Sequence, residues 1–289
     1  MSKIKNATVL ITGGANGIGK LMAERCLEQG AKNVVIWDIN EPNLEKTVQE
    51  FKQKGFGNVS SYLVDVSDLA DITWAAQEVL KEMGSIDVLF NNAGIVVGKH
   101  FQDHTHKEID KTLSINVLAV MHITKFFLPA MLAQRQGHII NIASAAGLMP
   151  NPKMSVYVGS KYAVVGWSES LRIELEQQKS NVYVTTVTPG YIDTGMFDGV
   201  RMHPFIPILK PDFIVDKILE GVKNNATSVR EPFMTKTVPI LRGILPTKTF
   251  DFVAGKLFHV YDSMADFVGR PSKEAMPEKT KLLKNNSKL

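Results

Sequence analysis

The chain alternates short apolar runs with longer segments of helical period. Residues 8–12, 33–38, 60–64, 87–91, 138–143 and 182–188 read as strands. They are nearly continuous apolar runs, the pattern of strands covered on both faces. Between them, residues 17–29, 41–54, 68–84, 105–133 and 155–179 carry the wider spacing of amphipathic helices, and 211–224 suggests another. A seventh strand is expected near residues 228–234. This alternation predicts right-handed crossovers and a parallel sheet with helices on both faces, a doubly wound α/β fold. After Gly190 the pattern changes. Residues 191–215 are irregular and apolar, and 235–270 mix apolar residues with Pro and Gly. No repeat or linker divides the chain, so residues 1–270 are expected to form one domain, followed by a polar, Lys-rich tail over 271–289.

Composition narrows the class. At 289 residues, 44% hydrophobic and 21% charged, the chain is an ordinary soluble globular protein. A net charge of +4 without a Lys/Arg stripe interleaved with aromatics argues against nucleic acid. The lone cysteine, Cys26, excludes an intrachain disulfide and reads as a small core residue. Ser2 to Asn6 lead directly into an apolar strand, so no signal peptide is expected. The longest apolar stretch, 113–133, approaches membrane-span length, but Asn116, His122, Lys125 and Pro129 interrupt it. It is expected to be a buried or interface helix, not a transmembrane segment. His100, His104 and His106 cluster in a polar loop-to-helix stretch and read as a solvated helix start; no metal is expected.

The chemistry concentrates in two places. Thr12 ends the first strand, and Gly13, Asn16, Gly17, Ile18 and Gly19 form a glycine-rich turn into the first helix. Glycines let the backbone turn sharply and approach a pyrophosphate at the helix N-terminus. The spacing is Gly-x-x-x-Gly-x-Gly, not the commoner Gly-x-Gly-x-x-Gly. Asp38 ends the second strand, where an acid accepts hydrogen bonds from the adenosine ribose hydroxyls and repels a 2′-phosphate. No basic residue follows it, so NAD is favoured over NADP. Asp38 also suits a helix N-cap.

Tyr157 and Lys161 lie one helical turn apart. An ammonium within a few ångströms can lower a phenol's pKa by about 1–3 units, making Tyr157 a credible acid/base. Ser144 and the run Asn91, Asn92, Ala93, Gly94 follow strands at the carboxyl edge, where open α/β sheets bind ligands. Asn116 lies on the long apolar helix, either as a site residue or as a kink or satisfied core amide.

In order and spacing, Thr12-Gly13-x-x-x-Gly17-Ile18-Gly19, Asp65-Val66, Asn91-Asn92-Ala93-Gly94, Asn116, Ser144, Tyr157-x-x-x-Lys161 and Pro189-Gly190-x-x-x-Thr194 resemble the short-chain dehydrogenase/reductase family, from about residue 5 to 235. The resemblance implies a Rossmann-like seven-stranded sheet of order 3-2-1-4-5-6-7. It also implies roles. Tyr157 would be the general acid/base, and Lys161 would lower its pKa and bind the nicotinamide ribose. Ser144 would hydrogen-bond the substrate oxygen, and Asn116 would hold a water linking Lys161 to solvent. Asp65 and Val66 would contact adenine, Asn92 the adenosine ribose side, and Ile192 and Thr194 the carboxamide. The long helices 105–133 and 155–179 would form a homodimer interface.

Val96, Val97, Phe101, Ala145, Met149, Tyr191, Met196 and Phe197 are candidate pocket residues. They are apolar, with no Arg or Lys to grip a carboxylate, which suits a lipophilic substrate. Residues 35–40, 143–147 and 208–211 resemble the branch holding retinol and 17β-hydroxysteroid dehydrogenases. Animal members often begin with a hydrophobic anchor, which this sequence lacks. A cytoplasmic protein is therefore expected, with peripheral membrane contact through 235–261 as an open alternative. The terminal Ser287-Lys288-Leu289 would be a peroxisomal address in a eukaryote. The reading is an NAD-dependent dehydrogenase of hydrophobic primary or secondary alcohols. Its rivals are an NADPH-dependent ketone reductase, a dinucleotide sensor without turnover, and a lipid-surface interaction protein.

Overall fold

A computed structural model describes residues 3–203 and 206–269. The tail from residue 271, with its terminal tripeptide, lies outside them. Seven parallel strands form one sheet in the order β3-β2-β1-β4-β5-β6-β7. They are β1 Thr8–Thr12, β2 Asn33–Asp38, β3 Val59–Leu63, β4 Val88–Asn91, β5 Gly137–Ile142, β6 Val182–Pro189 and β7 Ser228–Glu231. The expected topology is therefore observed. The helices are α1 Gly17–Glu28, α2 Glu41–Gln53, α3 Leu69–Met83, α4 His106–Leu113, α5 Ala119–Gln134, α6 Ser155–Gln177, α7 Pro211–Lys223, α8 Phe233–Ile244 and α9 Thr247–Asp251.

Strand alternation explains the two apolar layers. Val9 and Ile11 of β1, with Val34 and Ile36 of β2, face a core shared with α1 and α7 residues such as Met22 and Ile218. Leu10, Val35 and Trp37 face the opposite layer, with Ile72 of α3 and Ile123 and Phe127 of α5. Such side chains each contribute roughly 1.5–3 kcal/mol when fully buried. Cys26 lies in the first layer, fully buried and unpaired, and burial pushes its thiol well up. The apolar stretch around residue 116 belongs to the second layer. The α4–α5 run is long and apolar enough to cross a membrane by length and composition, yet half of its most apolar window is buried.

Three local differences have physical reasons. A π turn, Ser114–Leu118, separates α4 from α5 where one uninterrupted helix was expected. β3 is an edge strand and only partly buried. β7 stops at Glu231, because Pro232 has no N–H for the ladder and Phe233 begins α8.

Candidate active site

At the carboxyl edge of the sheet, the turn after β1 is built by mutual bracing. The Thr12 hydroxyl oxygen accepts from Asn92 N and Ala93 N, both at 3.0 Å. The Asn92 side-chain amide donates to the carbonyls of Thr12 at 2.9 Å and Gly13 at 3.1 Å. Asn92 is thus engaged in holding the glycine turn itself. Gly13 and Gly17 take φ of +65° and +55°, a region that penalises any other residue. At Gly19 a Cβ would lie 2.0 Å from the Gly13 carbonyl oxygen. Helix and turn approach too closely for a side chain there, as a backbone cradle for phosphates requires. Asn16 caps α1, accepting from Gly17 N at 2.7 Å, and no acidic residue occupies the first turn. The positive end of the helix is left for an anion. These residues fit a dinucleotide.

Asp38 sits at the rim of the same cleft. Its two oxygens accept from Ala15 N and Asn40 N, each at 3.0 Å. It is not the cap of α2; Asn40 is, accepting from Asn43 N. A carboxylate has about four acceptor sites, so two remain for ribose hydroxyls. Asp65 and Val66 line the cleft farther along. The Asp65 carboxylate already accepts from Ser67 N and Ser67 Oγ, at 2.9 and 2.6 Å. Ile18, Ala93, Gly94, Pro189, Gly190, Ile192 and Thr194 line the same cleft, so the structure brings the cofactor-side residues together.

Tyr157 and Lys161 share the inward face of α6 and are buried, 5% and 4% exposed. Lys161 Nζ donates to the Ile142 carbonyl at 2.9 Å and lies 5.6 Å from the Tyr157 ring centre. Burial pulls Lys161 down to about 8. Burial also pushes Tyr157 up to about 12, opposed by a hydrogen bond from Ser144. Lys161 does not offset this here, because its ammonium is turned to a carbonyl at the end of β5. Ser144 itself caps a short 3-10 turn, Ala145–Gly147, accepting from Ala146 N.

Asn116 is fully buried within the π turn. Its Oδ1 accepts from Ile95 N at 2.9 Å; its Nδ2 donates to the Ile95 carbonyl at 2.9 Å and to Ser160 Oγ at 3.0 Å. Every polar site of the amide except one lone pair is used. Of the open readings of this residue, the satisfied core amide is the one its side-chain hydrogen bonds match. Gly94 eases the approach of Asn116, since a Cβ there would lie 3.3 Å from its Oδ1.

Above Tyr157 lies a second apolar cluster. Met154, Tyr157 and Met264 form its buried centre, packed by Val96, Tyr191, Phe197 and Phe267. Phe197 meets Tyr157 and Tyr191 edge-on, with centroids 6.2 and 5.0 Å apart. Met196 lines the cofactor cleft beside Phe197. Four of the candidate pocket residues, Val97, Phe101, Ala145 and Met149, lie outside both this cluster and the cleft. Met149 is half-buried but outside this cluster, where Met154 stands instead, because the chain turns back into α6 five residues later. Phe101 is 63% exposed on its own 3-10 turn.

The sequence missed the segment 260–269. Tyr191 Oη meets Asn151 Nδ2 and Ser263 Oγ, both at 3.0 Å. Val268 N donates to Asp198 O, and Lys153 Nζ to Ala265 O. Phe267 lies over Gly98, where a Cβ would come within 2.2 Å of its ring. Met264 and Phe267 arrive from more than a hundred residues away, so no local pattern announces them. Ser160 was legible in principle, as a small polar residue on the buried face of α6.

A model of the short chain dehydrogenase family matches residues 7–204. The protein belongs to this family. It is an oxidoreductase of the NAD(P)-dependent kind. Among its relatives, epidermal retinol dehydrogenase 2 of Mus musculus is 35% identical over 270 residues, 92% of this chain and 86% of that protein. Estradiol 17-beta-dehydrogenase 11 of Homo sapiens is 34% identical over 261 residues, 90% and 86% of the two chains. The fold is similar to a short chain dehydrogenase/reductase from Burkholderia phymatum in complex with NAD, with TM-score 0.76 and 25% identity over 84% of this chain and 95% of that one. It is also similar to a metagenomic short-chain oxidoreductase in complex with NADP, TM-score 0.66, 29% identical, covering 79% and 99%. The glycine cradle thus belongs to a family that uses nicotinamide dinucleotides.

Proposed function

We propose that the protein oxidises a hydrophobic primary or secondary alcohol, of retinoid, steroid or long-chain hydroxy-acyl class, with NAD. The observation that supports this reading is the apolar cluster in which Met154 and Met264 are buried with Tyr157 and the partly buried Phe197 and Phe267 pack against them. The retinol and estradiol names of the relatives agree with a lipophilic substrate. A nicotinamide dinucleotide, held by the glycine turn and Asp38, would supply the hydride acceptor. Tyr157 takes the hydroxyl proton, Ser144 holds the reacting oxygen, and Lys161 would help hold the ribose of the dinucleotide. The Asn116 side chain is occupied, so its part in a relay falls to the π turn it pins, since such a turn frees backbone groups from the helical ladder. Residues 1–270 work as one catalytic domain, with 191–215 as the substrate loop and 235–270 as the extension that closes it.

NAD preference rests on Asp38. With its carboxylate fixed by Ala15 N and Asn40 N, a 2′-phosphate would meet a charge that cannot turn away. Asp38→Ala is expected to change the ratio of kcat/KM for NAD over NADP by at least about tenfold toward NADP. Initial rates with both cofactors check this; an equal preference in the native protein would remove the assignment. Phe267→Ala is expected to lower discrimination between a bulky and a small alcohol by about tenfold or more, because it takes one wall from the pocket. An unchanged ratio of kcat/KM would place Phe267 outside the substrate's reach.

A further inference from the structure

The extension after β7 turns its apolar side outward. Of the residues in α8, only Thr235 is buried. Phe233, Ile240 and Ile244 lie on one helical face, and with Phe252 and Leu257 just beyond α9 they are 57–74% exposed. A surface helix normally presents its apolar stripe to the core; here the stripe faces solvent. The same stretch, residues 233–257, carries Lys236, Arg242, Lys248 and Lys256 against one acid, Asp251, whose carboxylate accepts from the Tyr261 hydroxyl at 2.7 Å. Lys236 pairs with Glu231 at 3.1 Å, so Lys248 and Lys256 are the cations the face offers. Arg242 fixes the orientation: it donates to the Leu148 carbonyl at 2.7 Å and to the Tyr162 hydroxyl, tying α8 to the catalytic helix and the loop after Ser144.

We infer that this face docks the enzyme on an anionic lipid surface. Apolar side chains exposed at this density and rimmed by lysines match a headgroup boundary, with the rings and aliphatic chains entering and the ammonium groups meeting phosphates. A second copy fits less well, because a two-fold contact on this face would set its cations against one another. The face adjoins the pocket of Tyr191, Phe197 and Phe267 through Asn151 and Tyr261, which line the groove between α6 and the segment after α9. A lipophilic alcohol would then enter from the layer in which it dissolves. That purpose rests on the alcohol reading above; the docking does not.

The test is flotation of the full chain with vesicles of phosphatidylcholine alone and of phosphatidylcholine with about one-third phosphatidylserine. The protein is expected to float with the anionic vesicles and to be released by salt. Ile240→Ser with Ile244→Ser is expected to abolish flotation, and Lys248→Glu with Lys256→Glu to weaken it by on the order of 30-fold. Circular dichroism and NADH binding in solution show that the variants are folded, and alcohol oxidation in detergent-free buffer reads the enzymatic assignment separately. Absence of flotation, flotation unchanged in the variants, or concentration-dependent dimerisation lost in the Ile pair without vesicle binding would each overturn the inference.

Discussion

Replacing Tyr157 with phenylalanine is expected to lower turnover by about 10²–10⁴-fold and to leave dinucleotide binding nearly unchanged. The substitution keeps the ring that packs edge-on against Phe197 and removes only the hydroxyl, so the fold has no reason to respond. Its pH dependence is the sharper part. Alcohol oxidation needs the phenol as a base, and burial holds Tyr157 up at about 12. The native oxidation rate should therefore climb with pH throughout about pH 7 to about pH 9, as the small fraction of phenolate rises, while the reverse reduction, which uses the protonated phenol, stays level. In Tyr157→Phe the oxidation slope should vanish along with the rate. Stopped-flow or initial-rate pH profiles measure this. Turnover preserved in the variant would mean that another group moves the proton.

Gly19→Ala is the second large effect. The added Cβ would lie 2.0 Å from the Gly13 carbonyl oxygen and 2.6 Å from Asn92 Nδ2. Neither neighbour can yield cheaply, because Asn92 Nδ2 already donates to Gly13 O and Thr12 O, and Gly13 sits at positive φ. Either the turn opens or α1 withdraws, at a cost of about 1–3 kcal/mol or more. Both movements spoil the cradle, so dinucleotide affinity should fall by on the order of 10²-fold. Gly166→Ala is the control: no atom lies within 4 Å of the added carbon, and α6 should gain slightly. Calorimetric titration with NADH and thermal melts separate lost binding from lost folding. Native affinity in Gly19→Ala would show that the turn is not the phosphate cradle.

The parts of the site legible in the sequence are those built by local geometry. A strand ending at Thr12, glycines at 13, 17 and 19, and a Tyr and Lys one turn apart are each visible within a few residues, because turn and helix periodicity place them. The sheet was legible for a related reason: strands covered on both faces must be apolar throughout. What escaped depends on distant partners. Met264 and Phe267 join the pocket only because the chain returns across Gly98. The occupation of Asn116 by Ile95 and Ser160, and the turning of Lys161 toward Ile142, follow from packing between α6, the π turn and β5. The helix α8 was hidden by Pro239 and Gly243 within it and by an apolar stripe that faces outward, against the pattern by which surface helices are recognised.

The most direct test is absorbance at the reduced-nicotinamide band, with purified protein, NAD or NADP, and a panel of retinol, a 17β-hydroxysteroid, a long-chain hydroxy acid and short diols. The apolar cluster over Tyr157 and the fixed carboxylate of Asp38 predict NAD reduction confined to the lipophilic alcohols. Reduction only with the short polar diols, or tight NADH binding with no turnover of any lipophilic member, would contradict that account.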